Sequence, residues 1–288
     1  LTDSAYRQRA EQIEALIKAN ISSYLWDEEP VFCFTSDVDW ASEAVLEEYL
    51  AVVSDLDVHP TLFVTHRSDE VEKYYLAGKI DRGLHPNFMN GSSHGNSFDE
   101  VAETCVQFAP EAYGFRSHRA FDVTDVTHLM FNKYGFKYVS HQITIMQPFI
   151  RPILHESGLI NYPVFFEDGT HLYNCLNLKI NKYKHLFTTP GLKIISFHPM
   201  KFVFNTPEIT FMRQIKDSMS REQYINIKPE MIAKYKNRAL GIRDTILEIV
   251  EFVKANNLQV FTMNKIHSIM TGETYEDIRD REIVTQTG

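Results

Sequence analysis

Continuous apolar runs alternate with amphipathic helical patterns along most of the chain, and this alternation constrains the fold more than any other feature. Residues 31–35 (VFCFT) have the apolar and β-branched character of a strand that is buried on both faces. A helical stripe of apolar residues follows at 45–53, and 61–65 (TLFVT) has the character of a second strand. A strand, a helix and a strand in this order predict a β-α-β unit within a parallel sheet.

The alternation continues and predicts about eight strands in all. Ser97 with Glu100 forms the sequence pattern of a capping box and predicts one helix start, and Asp122 predicts another. The remaining strands are expected at 80–85, 113–116, 136–140, 159–166, 193–197 and 259–262.

The 288 residues contain no repeat and no Pro/Gly/Ser-rich linker that would divide the chain into several domains. We expect an N-terminal helical extension over 1–30 and a single α/β domain over 31–288, and the chain length favours a closed barrel. The stretches 172–189 and 199–236 fit the alternation poorly. We interpret them as excursions that build a substrate wall.

Composition argues against several classes of partner. The net charge of −9, from 29 Lys and Arg against 38 Asp and Glu, repels phosphate backbones, so we expect no nucleic acid partner. No apolar run reaches the roughly 18 residues of a spanning helix, and the N-terminus has a polar helical pattern rather than a signal peptide. Cys33, Cys105 and Cys175 lie among apolar or aromatic neighbours and are expected to be reduced core residues. These features predict a cytoplasmic protein.

Titratable side chains follow several of the predicted strands. Because the carboxyl ends of parallel strands meet at one edge of the sheet, we expect these side chains to converge there. A single Asp in such a place is often only a helix cap, and a single His is usually solvated, but packing gives no reason for so many strands to end in titratable groups. The residues concerned are Asp37, Asp39, His85, Arg116, His118, Arg119, Glu167, Asp168 and His198.

One Asp and two His side chains would leave open positions on a divalent metal ion, which is typical of a catalytic site rather than a closed structural one. Non-haem iron oxygenases use the same set of ligands. Their short His-x-Asp spacing on an all-β fold is absent from this sequence, so the pattern favours hydrolysis over oxidation.

Five short motifs carry a resemblance to a known family. They are SDVDW at 36–40, GLH at 83–85, FRSH at 115–118, EDG at 167–169 and ISFHP at 195–199. In this order the chain resembles the polysaccharide deacetylases of the NodB-homology superfamily, also called carbohydrate esterase family 4. It is most similar to the WbmS-type branch found in lipopolysaccharide O-antigen clusters.

The resemblance implies a fold and an activity. The fold would be α/β, a distorted (β/α)7–8 barrel, and the similarity covers roughly 31–263. The activity would be a metal-dependent hydrolysis that removes an acyl group, usually acetyl, from an N-acylated amino sugar during surface polysaccharide synthesis. The implied cofactor is a divalent metal ion, most simply zinc, and the implied partner is a glycan substrate.

The resemblance also assigns roles to residues that match the motifs. Asp37 corresponds to the general base, with Arg116 pairing with it to keep it ionised. Asp39 and His85 correspond to metal ligands. His198 corresponds to the acid that protonates the leaving amine, and Asp168 to the residue that orients it.

Three departures from the family pattern leave alternatives open. Val38 separates the two aspartates, so the roles of Asp37 and Asp39 could be exchanged. The usual second histidine is replaced by Met89. We expect His94 to be the third ligand instead, with Asn87 or Asn90 as alternatives.

The third motif, at 115–118, keeps its arginine, Arg116. Where the family pattern has an aromatic residue, this sequence has His118 and Arg119. We therefore expect Trp40, Asn87, His118 and Arg119 to bind substrate. Two other functions remain as hypotheses: an amidohydrolase of a small non-sugar amide or cyclic ureide, and an inert carbohydrate-binding or scaffold protein. A closed pocket would favour the first of these, and exposed aromatic side chains without a metal would favour the second.

Overall fold

The computed structural model describes residues 3–273, within which ten strands form one sheet. The strands are β1 (Pro30–Asp37), β2 (Thr61–Val64), β3 (Asp81–Leu84), β4 (Gly114–Phe115), β5 (Tyr138–Val139), β6 (Ile153–Leu154), β7 (Ile160–Asn161), β8 (Phe166–Glu167), β9 (Gly191–Phe197) and β10 (Gln259–Val260). The helices are α1 (Asp3–Ile21), α2 (Glu43–Asp55), α3 (Asp69–Leu76), α4 (Phe98–Val106), α5 (Thr124–Asn132), α6 (Asp168–Tyr173), α7 (Lys184–Phe187), α8 (Pro199–Val203), α9 (Phe211–Asp217), α10 (Arg221–Ile225), α11 (Pro229–Tyr235), α12 (Ile242–Ala255) and α13 (Met263–Thr271). Short 3₁₀ turns lie at Leu25–Asp27, His118–Ala120 and Ile180–Lys182.

Strand β1 lies at the centre of the sheet, whose order is β6-β7-β5-β4-β3-β2-β1-β9-β8. It pairs with β9 along nearly its whole length, and its other edge is shared between β10 near its start and β2 near its end. The strand pairs are parallel except for β6 with β7. All eight residues of β1 are buried, as expected for a continuous apolar run in a parallel sheet.

The two ends of the sheet are connected by the segment 160–167. Its first part, β7, pairs with β5, and its second part, β8, pairs with β9. Between them the Val164 N–H donates to the carbonyl of Gln142 (2.8 Å) and the Phe165 N–H to that of Ile194 (2.9 Å). The sheet therefore curls round on itself with helices outside, which confirms the predicted α/β fold of distorted barrel type.

The differences from the predicted strands arise in this same region. The single strand expected at 159–166 is two short strands, because the segment changes its pairing partner midway. Strand β6 was not predicted, since a strand of two residues has no periodicity to detect.

Helix packing explains why the predicted apolar stripes face the sheet. Helix α2 buries a stripe consisting of Val45, Leu46, Tyr49, Leu50 and Val53, and each large apolar side chain contributes about 1.5–3 kcal/mol when it is fully buried.

Gly114 in β4 is required for a different reason, the close approach of a neighbouring strand. A Cβ atom at this position would lie 1.9 Å from the Tyr138 ring, so only glycine permits the two strands to approach.

The predicted helix starts have different outcomes. Ser97 caps α4 by accepting the Glu100 N–H (3.2 Å), while the Glu100 carboxylate accepts from Asn96 rather than from Ser97. The prediction for Asp122 was wrong, because α5 begins after Val123 with no side-chain cap. The preference of aspartate for helix starts does not by itself show whether Asp122 caps the helix or lies just outside it.

The N-terminal helix α1 packs on the outside of the curled sheet. The Arg9 guanidinium donates to the Ser157 carbonyl (3.3 Å), and the Tyr24 hydroxyl beyond the helix donates to the Met270 carbonyl (2.9 Å). None of the helices within residues 3–273 has the length and apolar character needed to cross a bilayer.

The three cysteines have free thiols. Cys33 and Cys105 are buried as predicted, but Cys175 is exposed, because it follows α6 in a left-handed turn at the surface.

Candidate active site

The chain makes a tight turn where β1 ends, and this turn carries two of the predicted site residues. Asp39 and Trp40 have φ values of 48° and 55°, in the left-handed region that non-glycine residues seldom adopt. The turn is held by hydrogen bonds from the Ala41 N–H to the Val38 carbonyl (3.0 Å) and from the Trp40 N–H to the Thr65 hydroxyl (3.0 Å). Strained backbone of this kind is concentrated at functional sites.

Asp39, His85 and His118 bring one potential ligand atom each to a common point. Asp39 Oδ1 lies 2.9 Å from His118 Nδ1 and 3.2 Å from His85 Nε2, and the two ring nitrogens are 3.3 Å apart. His85 directly follows β3, where its N–H donates to Val64 (2.8 Å), and His118 begins a 3₁₀ turn after β4. Two imidazole nitrogens and a carboxylate oxygen suit a divalent ion such as zinc and leave it open positions.

A buried polar atom without a partner supports the same interpretation. His85 Nδ1 forms no hydrogen bond within the described part of the chain, and Asp37 Oδ1 lies 3.9 Å from it. When the other nitrogen of a histidine binds a metal ion, this atom carries a proton that a carboxylate commonly accepts. Asp37 is placed to accept it.

His94, the expected third ligand, lies outside this group. His94 Nε2 is bonded to the Thr65 carbonyl (2.8 Å), and Nδ1 accepts the Asn87 N–H (3.1 Å), so neither nitrogen has a free lone pair. The ring also lies against Trp40, with centroids 5.3 Å apart. His94 therefore holds the loop that follows β3, and His118 lies where His94 was expected.

The predicted substrate-binding residues are divided between the site and its surroundings. The Trp40 ring packs edge-on against His118 with centroids 5.2 Å apart. Asn87 uses its side-chain oxygen to accept the Met89 N–H (3.1 Å). Arg119 is exposed, one residue beyond His118.

Asp37 is held by Arg116 inside the barrel. The guanidinium donates to Asp37 Oδ1 (2.8 Å), to the Ser196 hydroxyl (2.8 Å) and to the Ser140 carbonyl (2.7 Å), so its position is fixed by β1, by β9 and by the residue that follows β5. Burial raises the pKa of Asp37, but the positive charges of Arg116, His85 and His198 together outweigh burial and leave this pKa below its usual value. Asp37 is therefore an ionised carboxylate beside the possible metal ligands.

Asp168 and His198 form a second ion pair on the same rim. His198 Nδ1 lies 2.7 Å from Asp168 Oδ1, and the His198 N–H donates to Asp168 Oδ2 (2.7 Å). Burial opposes the charged form of this histidine, but the Asp168 carboxylate outweighs it and raises the pKa of His198 to about 9. The other ring nitrogen, Nε2, lies 3.5 Å from Asp39 Oδ2.

Lys201 is a third charged group in contact with the Asp168–His198 pair, and the sequence analysis did not predict it. Its ammonium donates to Asp168 Oδ1 (2.9 Å) and lies 3.7 Å from Glu167. Asp168, Glu167 and His198 could by themselves hold a cation, but the ammonium already occupies that position. The available signal was the spacing of three residues between His198 and Lys201 at the start of a helix, which places both on one side.

Glu167 has a local role. Its carboxylate accepts the Gly169 N–H (2.8 Å) and caps α6, as an acidic residue at a helix start often does.

The site thus has three parts on one rim: a possible metal group, an ionised carboxylate beside it, and a protonated histidine facing it. Such an arrangement is suited to hydrolysis in which water loses a proton and a leaving amine gains one.

Comparison with known families agrees with this class. The model of the WbmS-like family of polysaccharide deacetylases matches residues 34–216, and the chain belongs to this family. It is therefore a deacetylase, a hydrolase of carbon–nitrogen bonds in amides, as the motifs predicted. A search among curated proteins finds no significant match.

Two solved structures illustrate the similarity. A candidate polysaccharide deacetylase involved in O-antigen biosynthesis from Bordetella bronchiseptica shares 23% identity, over 77% of this chain and 89% of that one, with a TM-score of 0.66. This match shows a common fold. A peptidoglycan N-acetylglucosamine deacetylase shares 12% identity over 82% of this chain and 91% of its own, and its TM-score of 0.40 supports no inference.

Proposed function

We propose that the protein is a metal-dependent deacetylase that removes an acetyl group from an N-acylated amino sugar in surface polysaccharide synthesis. The observation that carries this proposal is the meeting of Asp39, His85 and His118 at one point between the Asp37–Arg116 and Asp168–His198 pairs. The O-antigen role given for the Bordetella bronchiseptica protein supports the choice of substrate class. We also propose a cytoplasmic location, supported by the free buried thiols of Cys33 and Cys105.

The proposed metal ligands are Asp39, His85 and His118, and the proposed ion is zinc. A bound divalent ion would lower the pKa of a coordinated water towards about 7 and polarise the amide carbonyl. The hydrogen bond from the Trp40 N–H to Thr65 holds the turn that carries Asp39, and the hydrogen bond from the His85 N–H to the Val64 carbonyl of β2 holds His85.

Asp37 is the proposed general base. It is ionised, lies beside His85, and is not a member of the group Asp39, His85 and His118 whose ligand atoms meet. Arg116 keeps the carboxylate charged and oriented, so Asp37 can take a proton from the attacking water.

His198 is the proposed general acid. With its pKa raised to about 9 it is protonated at neutral pH, and Nε2 faces the site while Nδ1 is held by Asp168. It can therefore give a proton to the leaving amine. Lys201 fixes Asp168 in turn, and Trp40 and Arg119 at the opening are the proposed contacts to the sugar.

The test compares His118→Ala with the matched variant His94→Ala. We expect about one zinc ion per wild-type chain, loss of metal and of deacetylation of an N-acetylglucosamine oligosaccharide in His118→Ala, and retained metal in His94→Ala. Metal analysis and product amine are measured on the same preparations. Loss of metal in His94→Ala with full occupancy in His118→Ala would contradict the ligand set. Full deacetylation by the metal-free protein would contradict the metal dependence.

A further inference from the structure

Thr65 follows β2 directly and lies between two segments that carry possible metal ligands. Strand β2 lies between β1 and β3 in the sheet, and Thr65 is fully buried. The Thr65 hydroxyl accepts the Trp40 N–H (3.0 Å), and the carbonyl of the preceding Val64 accepts the His85 N–H (2.8 Å). The end of β2 is therefore bonded on one side to the turn that carries Asp39 and on the other side to His85.

The Thr65 hydroxyl has two partners. Its oxygen accepts the Trp40 N–H and lies 2.9 Å from Nδ1 of His66, the next residue along the chain. A hydroxyl has one proton to donate and two lone pairs that accept, so it can bond to both groups at once. The two contacts fix the rotation of the Thr65 side chain and keep a lone pair directed at the Trp40 N–H.

The turn that this hydroxyl holds has a backbone conformation that is unfavourable in isolation. Asp39 and Trp40 are consecutive and have φ values of 48° and 55°. Non-glycine residues stay in this left-handed region only where the surrounding contacts hold them there. Thr65 bonds to one of these two residues, and the other carries the carboxylate that lies 3.2 Å from His85 Nε2.

The Thr65 carbonyl contacts the same turn by a second route. It is bonded to His94 Nε2 (2.8 Å), and the His94 ring lies against the Trp40 ring with centroids 5.3 Å apart. The Trp40 ring in turn packs edge-on against His118, with centroids 5.2 Å apart. Thr65 thus reaches Trp40 directly through its hydroxyl and indirectly through His94.

We propose that Thr65 is a positioning residue for the metal site, whose hydroxyl holds the Asp39–Trp40 turn so that the Asp39 carboxylate faces His85 and His118 before an ion binds. Groups that orient metal ligands typically contribute about 10–100-fold to metal affinity, although they do not touch the ion. The inference rests on the proposed function for the presence of the metal ion. It adds a residue that contacts neither the ion nor the substrate.

The experiment compares zinc affinities, measured by competition with a chromophoric chelator. Thr65→Val keeps nearly the same shape and removes the hydroxyl, whereas Thr65→Ser keeps the hydroxyl. Thr61→Val is the matched control, because the Thr61 hydroxyl at the start of β2 also accepts a backbone N–H, that of Met263 (3.3 Å). We expect zinc affinity to fall about 10–100-fold in Thr65→Val and to stay within about threefold of wild type in Thr65→Ser and Thr61→Val.

A second measurement separates positioning from a general loss of folding. Turnover of Thr65→Val on an N-acetylglucosamine oligosaccharide should recover as the zinc concentration is raised, because the ion itself can hold the displaced carboxylate. Thermal unfolding shows which variants are folded. Thr65→Ala also removes the hydroxyl and replaces Thr65→Val in the comparison if Thr65→Val does not fold.

The outcomes distinguish this inference from the proposed function. Unchanged zinc affinity in Thr65→Val, or an equal loss in Thr61→Val, would overturn the inference while deacetylation by wild type stands. A loss of zinc affinity confined to Thr65→Val, with no deacetylation by zinc-loaded wild type, would support the inference and overturn the proposed reaction. A wild-type protein that binds no zinc would overturn both.

Discussion

Two histidines at opposite ends of the barrel, His198 with a largely buried side chain and His267 fully buried, show how differently the same side chain is used. His198 follows β9 at the rim where strands end, and the Asp168 carboxylate 2.7 Å away raises its pKa to about 9 against the effect of burial. His267 of α13 lies near the ends where strands begin. Its Nδ1 pairs with the Tyr162 hydroxyl (3.0 Å), and burial lowers its pKa to about 3.

The difference teaches that burial alone does not create a functional histidine. Burial disfavours the charged form at both ends of the barrel, and the sign of the final pKa shift depends on whether a carboxylate is in contact. Asp168 is in contact with His198, whereas the nearest Glu273 oxygen is 4.0 Å from His267. We therefore expect changes at the rim to remove activity and changes at the opposite end to alter stability.

The largest expected effect at the rim is that of Asp37→Asn. Since Asp37 is the proposed base, this variant should retain metal and substrate but turn over about 10²–10⁴ times more slowly. Single-turnover rates and metal content are the measurements. Asp39→Asn is the matched variant, and it should lose the metal.

The opposite pattern would reverse the roles of the two aspartates. If Asp37→Asn loses metal while Asp39→Asn keeps it, Asp39 is the base and Asp37 the ligand.

The next effect concerns the acid pair. His198→Ala and Asp168→Asn should each lower turnover by about 10² or more with metal retained, because the first removes the acid and the second the group that orients it. The double variant should be little worse than either single variant, as expected for groups that act as a unit. Wild-type turnover in His198→Ala would assign this histidine to packing and remove the contrast with His267.

The smallest effect is expected at the opposite end, in His267→Gln. The folded pKa of His267 is about 3 against 6.5 in the unfolded chain, so the unfolded state binds the extra proton between these values. The free energy of unfolding of wild type should therefore fall as pH decreases from 6.5 towards 3, with a contribution of up to about 1.4 kcal/mol per pH unit. His267→Gln should have a shallower dependence in urea titrations and unchanged activity at neutral pH. An identical pH dependence in the two proteins would show that His267 is not buried as a neutral group.

The sequence predicted the fold well where pattern and burial are directly linked. The run at 31–35 lies within the fully buried central strand, and the apolar stripe of 45–53 lies on the buried face of α2. The sequence failed at Asp122 and at β6, because a single capping residue and a two-residue strand carry too little local signal.

The candidate site divides in the same way. The sequence by itself predicted that Asp37, Asp39, His85, Arg116, Asp168 and His198 lie on one rim, because parallel strands end at one edge and each of these residues lies at or just after the end of a strand. Their roles stay predictions until the variants above are measured.

Only the tertiary structure decided which loop residues reach this rim. It brings His118 and not His94 to Asp39, since both nitrogens of His94 are bonded to loop and strand backbone. It also brings Lys201 to Asp168. Strand ends are fixed by a periodic pattern that a sequence displays, whereas loops are fixed by individual long-range hydrogen bonds that leave no periodic trace.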